Sequence, residues 1–483
     1  MEEKAGAQIS TRAFLQSLVI LFVLMMGAGI LTRLISAGSY ARLEVDGREV
    51  IDAQSFQHIP APDYPVWRWF TAPLEVLWGP DSLTIITIII FLLMVGVSFA
   101  VLDKSGLLKA ALGRIVSAFG GRKYLLLSVI SLFFMAIGAF FGIFEEVVPL
   151  VPLIVALSYL LGWDALVGLG MSILATNMGF SAAITNPFTI GVAQKLADLP
   201  LFSGAGFRVL IFLVIYGIFI FFLTRYARRI ERNPQASPVY VEDQTGRAKY
   251  GQLKLEEMLA SGSQTGRASI WLLIFMVLIL VVLVAGPFIP AISSFSLPIV
   301  GLLFFIGGLG AGLLSGSPRA TVLKAVKEGL LGIAPAIPLI LMAASIKHIV
   351  AQGGILDTIL HSASQLFTQA SPFVASLMIY LLALLIEFFI GSGSAKAFLL
   401  MPILLPLADL VGVTRQIAVT AYCFGDGFSN LAYPTNPVLL ICLGLTVVSY
   451  PKWLRWTLPL WAGVVAATIL FLGIGVMIGF GPF

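Results

Sequence analysis

Apolar runs of about 20 residues, broken by short polar stretches, recur along most of this chain, and that is the length a helix needs to cross ~30 Å of hydrocarbon. The pattern predicts membrane-spanning helices. Phe14 to Ile35 is the first; its apolar run exceeds the ~7–15 residues of a signal peptide, so it reads as an uncleaved span. Further spans are expected over Leu83 to Leu102, Val209 to Thr224, Ile270 to Gly286, Leu297 to Leu314, Leu331 to Ile349 and Leu458 to Gly479. Gly106 to Phe119 and Ile355 to Phe367 carry helical apolar periodicity and should lie along the interface.

Two regions break the simple alternation in the same way. Tyr124 to Phe144 and Val147 to Leu161 flank Glu145 and Glu146; Phe373 to Ile390 and Ala397 to Val411 flank a tip running from Gly391 to Lys396. The limb from Val147 has only about 15 residues, too few for a full span, so each pair predicts a re-entrant hairpin. After each hairpin comes a Gly corner and an interrupted helix. The first starts at Ala165 and breaks across Asn177 to Ser181 and Thr185-Asn186-Pro187 before continuing to Leu199; the second starts near Gln416 and breaks from Gly425 to Pro437. Pro152 and Pro402, Gly162 and Gly412, and Thr185-Asn186-Pro187 and Thr435-Asn436-Pro437 all stand 250 apart (402 − 152). The chain contains one unit twice.

Charge orients the two copies. Residues 36–82 hold seven acids against three bases and are expected outside, while Lys104, Lys109, Arg114, Arg122 and Lys123 mark a cytoplasmic segment. The stretch from Arg225 to Arg267, with eight bases against five acids, reads as a cytoplasmic linker between halves. The first hairpin then enters from the cytoplasm and the second from outside. The fold class expected is an all-α polytopic membrane protein of two inverted repeats, each with a re-entrant hairpin and an interrupted helix, about 11 spans plus 2 hairpins. Residues 1–228 form the first repeat, 229–267 the linker and 268–483 the second. The N-terminus is expected in the cytoplasm and the C-terminus outside, in a cell (inner) membrane.

Composition agrees: 59% of residues are hydrophobic and 11% charged, against about 25% charged in soluble proteins, and mean hydropathy is +1.01. The net charge of +5 calls for no nucleic acid. Cys423 and Cys442 sit in apolar runs without metal or disulfide spacing, and His58, His348 and His361 are scattered; no metal or cofactor is expected. No nucleophile and base converge, so an enzyme is not expected.

Broken helices at the midplane expose backbone groups that can replace an ion's hydration shell, and half-helix N-termini attract carboxylates. Candidate binding residues are therefore the polar groups at the breaks and tips: Asn177, Ser181, Thr185 and Asn186 in the first half, and Ser392, Ser394, Ser429, Asn430, Thr435 and Asn436 in the second. Charge inside a membrane is costly and marks function, which adds Glu145, Glu146, Lys396 and Asp426. Glu146 and Lys396 occupy equivalent repeat positions; Glu387, in a hairpin limb, ranks lower as an acid satisfied by packing.

Gly142-Ile143-Phe144-Glu145-Glu146, Asn186-Pro187-Phe188, Ser392-Gly393-Ser394, Pro402 to Gly412 and Gly425-Asp426-Gly427-Phe428-Ser429-Asn430 to Pro434-Thr435 resemble the YfcC-like branch of the anaerobic C4-dicarboxylate carrier (DcuC-type) family over nearly the whole chain. The resemblance implies an ion-transporter-type carrier, a dimer with an elevator-like movement of the hairpin domain. It divides on substrate: the family name implies C4-dicarboxylates, the branch basic amino acids. Three acids against one base make a poor cage for a dianion, and Lys396 stands where a sodium site would hold a neutral residue. The expectation is a secondary active transporter of a small carboxylate-bearing solute, first an amino acid, basic amino acid exchange included, coupled to H+ or to exchange. The alternative is a Na+- or H+-coupled C4-dicarboxylate carrier.

Overall fold

The computed structural model describes residues 11–45, 48–52, 54–119, 121–250, 266–285, 289, 292, 295–365, 367 and 370–481. Helices dominate, and among the described residues eight are long and apolar enough to cross a membrane. These include Ser82–Lys104, Lys123–Phe141, Ala205–Arg232, Gly393–Leu410 and Tyr450–Met477; shorter apolar helices cover Leu18–Leu34, Gly266–Val282 and Pro372–Glu387. The chain is a multi-pass membrane protein. Most helix bounds fall close to those read from hydropathy, but Ala205–Arg232 runs well past Thr224, and a helix Arg319–Ile333 precedes Ala336–Gln352 where one span from Leu331 was expected. The last helix starts at Tyr450 rather than Leu458, because Pro451 suits a first helical turn and Pro459 is accommodated within it.

Among the described residues, strands are confined to the acidic stretch between the first two spans. Two short antiparallel pairs, Gly38–Ser39 with Gln57–His58 and Arg42–Val45 with Arg48–Ile51, precede a helix Trp67–Glu75 whose Trp67 and Phe70 are exposed. This region is pinned to the second half. Tyr40 N–H and Arg42 reach Asp357, each at 2.9 Å, and His361 stacks on Phe56 with ring centroids 3.8 Å apart. Glu75 takes Arg68 at 2.7 Å and His348 at 3.3 Å. Partial burial would raise the Glu75 pKa, but its hydrogen bonds to Arg68, Thr71 and His348 bring it down to about 2.

Each half packs its first hairpin limb against its own interrupted helix through glycine. An added Cβ on Gly138 would meet Thr176 O and Phe180 N, and one on Gly179 would strike the Met135 carbonyl. In the second half, a Cβ on Gly425 would strike the Tyr380 carbonyl and crowd Leu384 N. Backbone thus meets backbone without intervening side chains. The hairpins also cross: Glu145–Leu150 contacts Pro437–Gly444, and Gly393–Leu410 contacts Pro187–Gly191. Each tip therefore lies against the continuation of the other half's broken helix.

The first part of the stretch read as a linker is folded down rather than loose. Asp164, which caps Ala165–Leu169 by accepting from Val167 N–H, also accepts from Tyr226 and Ser237 hydroxyls at 2.6 and 2.7 Å. Asp243 accepts from Tyr159 Oη at 2.7 Å and Ala165 N–H at 2.9 Å. Asp103 takes Lys249 and the Tyr250 hydroxyl, and Lys452 reaches Glu242 at 2.6 Å. The stretch 251–265, with Lys254, Glu256 and Glu257, lies outside the described residues.

Two predictions follow from this packing. Gly179→Val places a side chain against the Met135 backbone, which cannot move aside cheaply; a loss of about 1–3 kcal/mol, read as a lower melting temperature and poorer yield of monodisperse protein, is expected. For Asp243, burial and the Asp164 carboxylate push the pKa up to about 7, against its two hydrogen bonds and Arg247. The folded state thus holds a proton that the unfolded state has released. Docking should be strongest below the ordinary carboxylate range and weaken as pH rises through about 7. Amide-exchange protection of residues 237–250, corrected for intrinsic rates, should fall from about pH 4 to about pH 7 and level off above it, and Asp243→Asn should flatten that slope.

Candidate functional site

Helix ends left open inside a membrane need partners for their N–H and C=O groups. Here they come largely from the sequence motif repeated at 250 residues. Asn186 Oδ1 accepts from Phe188 and Thr189 N–H at 2.9 and 3.3 Å, and Asn436 Oδ1 accepts from Val438 and Leu439 N–H at 3.0 and 3.3 Å. In both copies Pro follows at the first helical position, where no N–H is needed. Thr185 Oγ1 donates to Phe140 O at 2.8 Å, closing the end of the hairpin limb. Ser392 caps Gly393–Leu410, and Ser181 and Ser429 donate back to Asn177 and Gly425 carbonyls. Asn430 Oδ1 accepts from Asn436 Nδ2 at 3.4 Å. These candidates shape the breaks.

The open C-terminal end of the first break has a partner that the sequence reading missed. Ala183 turns left-handed (φ 46°), and the freed Ile184 carbonyl accepts from Arg208 Nε and Nη2 at 3.2 and 3.0 Å. Arg208 also reaches the Phe202 and Ser203 carbonyls, so one buried guanidinium gathers three backbone oxygens. Its place at the very start of an apolar run, where cations usually mark a membrane boundary, hid it.

The charged residues converge in the second half. Lys396, in the first turn of Gly393–Leu410, is wholly buried and pairs with Glu387 from the preceding limb and with Asp426, its Nζ 2.8 Å from Asp426 Oδ1. Glu387, ranked lower as an acid satisfied by packing, is thus a direct ion partner of Lys396 in this cluster. Its signal was present as an acid in an apolar helix, but position 137, its repeat equivalent, is Ile, so the duplication gave no support. Glu145 and Glu146 lie elsewhere, on the first hairpin tip: Glu145 is exposed and Glu146 half-buried, accepting from Phe144 N–H at 3.3 Å.

Around the triad, polar atoms remain open. Neither Asp426 oxygen accepts a hydrogen bond among the described residues, the Lys396 contact being an ion pair outside hydrogen-bond geometry. Thr189 Oγ1 and both polar atoms of Asn177 are likewise buried and unpartnered. A Cβ on Gly393 would lie 2.9 Å from both Asp426 Oδ2 and Thr189 Cγ2, so the second hairpin's tip spans the two halves here. Gly427 packs on Ser181, one helical turn from Asn177, bringing the two breaks together. Gly391, Ser392 and Ala395 are exposed and Ser394 half-buried, so the tip is open above a sealed charge cluster. Thr435 is half-buried.

Removing one member of a buried ion cluster strands the others, at a cost of about 3–5 kcal/mol. Lys396→Met should therefore lower the melting temperature markedly, and adding Glu387→Gln and Asp426→Asn should restore most of it. Equal stability of the single and triple variants would show the charges to be uncoupled.

Comparison with known proteins now bears on this geometry. The family description "DcuC: C4-dicarboxylate anaerobic carrier" matches residues 14–478. An Escherichia coli (strain K12) protein named "Putative basic amino acid antiporter YfcC" is 30% identical over 474 residues, covering 91% of this chain and 92% of its own. Two solved transporters overlay over most of their length: YdaH of Alcanivorax borkumensis (20% identity, 97% of this chain, 99% of that one, TM-score 0.42) and MtrF of Neisseria gonorrhoeae (19%, 95%, 94%, 0.41). With so loose an overlay, neither carries an argument about this chain. The family match and the full-length relative are enough: this chain is a membrane transporter, not an enzyme, and it belongs to the C4-dicarboxylate anaerobic carrier (DcuC) family.

Proposed function

We propose that the chain is a secondary active carrier of amino acids with a cationic side chain, working by exchange or with protons. The observation that carries this reading is the composition of the buried cluster: two carboxylates, Glu387 and Asp426, against one ammonium, Lys396. Ionised, the cluster holds one uncompensated negative charge in a medium where charge is expensive. A solute cation, or a proton, neutralises it. A dianion would add to the imbalance and would need accompanying cations.

The geometry offers a place for each end of an amino acid. The α-carboxylate suits the exposed N-terminus of Gly393–Leu410 beside Ser392 and Ser394, where N–H groups and the helix dipole favour an anion. The side-chain cation suits Asp426, whose oxygens lack hydrogen bonds, with Thr189 and Asn177 as neutral partners. Such a solute displaces Lys396 from Asp426 and leaves it to Glu387. A solute of net charge +1 makes the loaded cluster neutral and easier to carry through the membrane than the empty one, which is the condition for exchange. The printed name of the Escherichia coli relative, a basic amino acid antiporter, points the same way. The family's own description names C4-dicarboxylates, which is the second reading.

Counterflow in proteoliposomes decides between them. With unlabelled lysine or arginine inside, labelled lysine should accumulate saturably without sodium, and Asp426→Asn should weaken it roughly 100-fold, the cost of unpairing a buried charge contact. Counterflow of succinate or malate that requires sodium, with none for lysine, would reverse the assignment and make Lys396 the anchor of a carboxylate.

A further inference from the structure

Away from the charge cluster, the Arg-rich ends of Ala205–Arg232 and Tyr450–Met477 enclose a groove of about 930 Å³. Four cations line it: Arg225, Arg229, Lys452 and Arg455. Lys452 is engaged by Glu242, but the three exposed guanidinium groups make no ion pair or hydrogen bond among the described residues. Below them the wall turns apolar, with Phe222, Trp456, Pro459 and Leu460. Ser449 and Trp456, 4% and 6% exposed, also line the groove.

Three arginines without a protein counter-charge among the described residues define an anion, and the apolar wall beside them defines something joined to hydrocarbon. We infer that this groove binds an anionic phospholipid of the leaflet on the Arg-rich side. The phosphate would lie among Arg225, Arg229 and Arg455, and an acyl chain would follow Phe222, Trp456 and Leu460. Basic pockets between spanning helices are a recurrent setting for such headgroups. Ser237, at the rim, donates to Asp164, so an occupied groove would also brace the linker against the corner of the first interrupted helix.

The test is lipid titration of the purified full chain in neutral detergent, read by native mass spectrometry and thermal unfolding. Phosphatidylglycerol should bind and raise the melting temperature, while phosphatidylcholine and inorganic phosphate should not. Arg225→Gln/Arg229→Gln/Arg455→Gln should bind phosphatidylglycerol roughly 100-fold more weakly, as expected for three cations near a lipid phosphate. A control of equal charge change on the exposed Arg122 and Arg319 and on Lys327 should bind as the native chain does. Arg455→Gln alone should bind roughly fivefold more weakly, so the inference stays testable if the triple variant misfolds. Equal binding of phosphatidylcholine, stabilisation by phosphate alone, an equal loss in the control, or native affinity in Arg455→Gln would each overturn it.

Discussion

One ammonium holds two carboxylates inside the membrane, and much of the second half is arranged around that fact. Lys396 is wholly buried between Glu387 and Asp426, which come from a hairpin limb and a broken helix. Neither segment could keep its acid at that depth alone, since desolvating an ion costs several kcal/mol before any pairing. The pairing therefore fixes the hairpin against the interrupted helix. It also needs the close approach at Gly425, where any side chain would separate the Pro372–Glu387 limb from the helix carrying Asp426.

The backbone imposes the second constraint. A helix broken in hydrocarbon frees N–H groups on one side and carbonyls on the other, and the two kinds are met by different means. N–H groups are met locally, by Asn186 and Asn436 one residue ahead of a proline. Carbonyls need a donor with reach, and in the first half this is Arg208, from the next helix. Most of the Ser, Thr and Asn groups at the breaks are occupied in this way. The atoms left open, on Asn177, Thr189 and Asp426, are few and stand where the two halves meet.

How much of this the sequence displays depends on whether a feature is local or needs contact across the chain. Spans, corners, hairpins and breaks are legible because hydropathy and turn residues are properties of consecutive positions. The repeated Thr-Asn-Pro is legible, but Asn186 and Asn436 read there as candidate binding residues, and only the structure shows them as N-caps. The partners of Lys396 are not legible: the spacing of 250 relates it to Glu146 without telling what either touches, whereas the structure brings in Glu387 from nine positions back and Asp426 from the next broken helix. Thr189 and Arg208 escaped for the same reason, as single residues whose meaning lies in what they face. The helix Trp67–Glu75 escaped because prolines on both sides resemble loop punctuation, while its exposed aromatics suit an interface.

The duplication also separates scaffold from chemistry. Positions 250 apart keep their conformational roles: Gly162 and Gly412 both have positive φ, Asp164 and Thr414 both cap the following helix, and Asn186 and Asn436 both cap the resumed one. The charges keep no such symmetry. The equivalents of Glu387, Lys396 and Asp426 are Ile137, Glu146 and Thr176. Two identical charge clusters would have to be desolvated separately and would compete for the same solute, whereas one cluster at the crossing of the halves needs only a neutral contribution from the other. Thr189, set beside Gly393 and Asp426 by the first half's resumed helix, is placed to make that contribution. The repeat thus supplies two frames of the same shape, and the asymmetric charges make a single site of them.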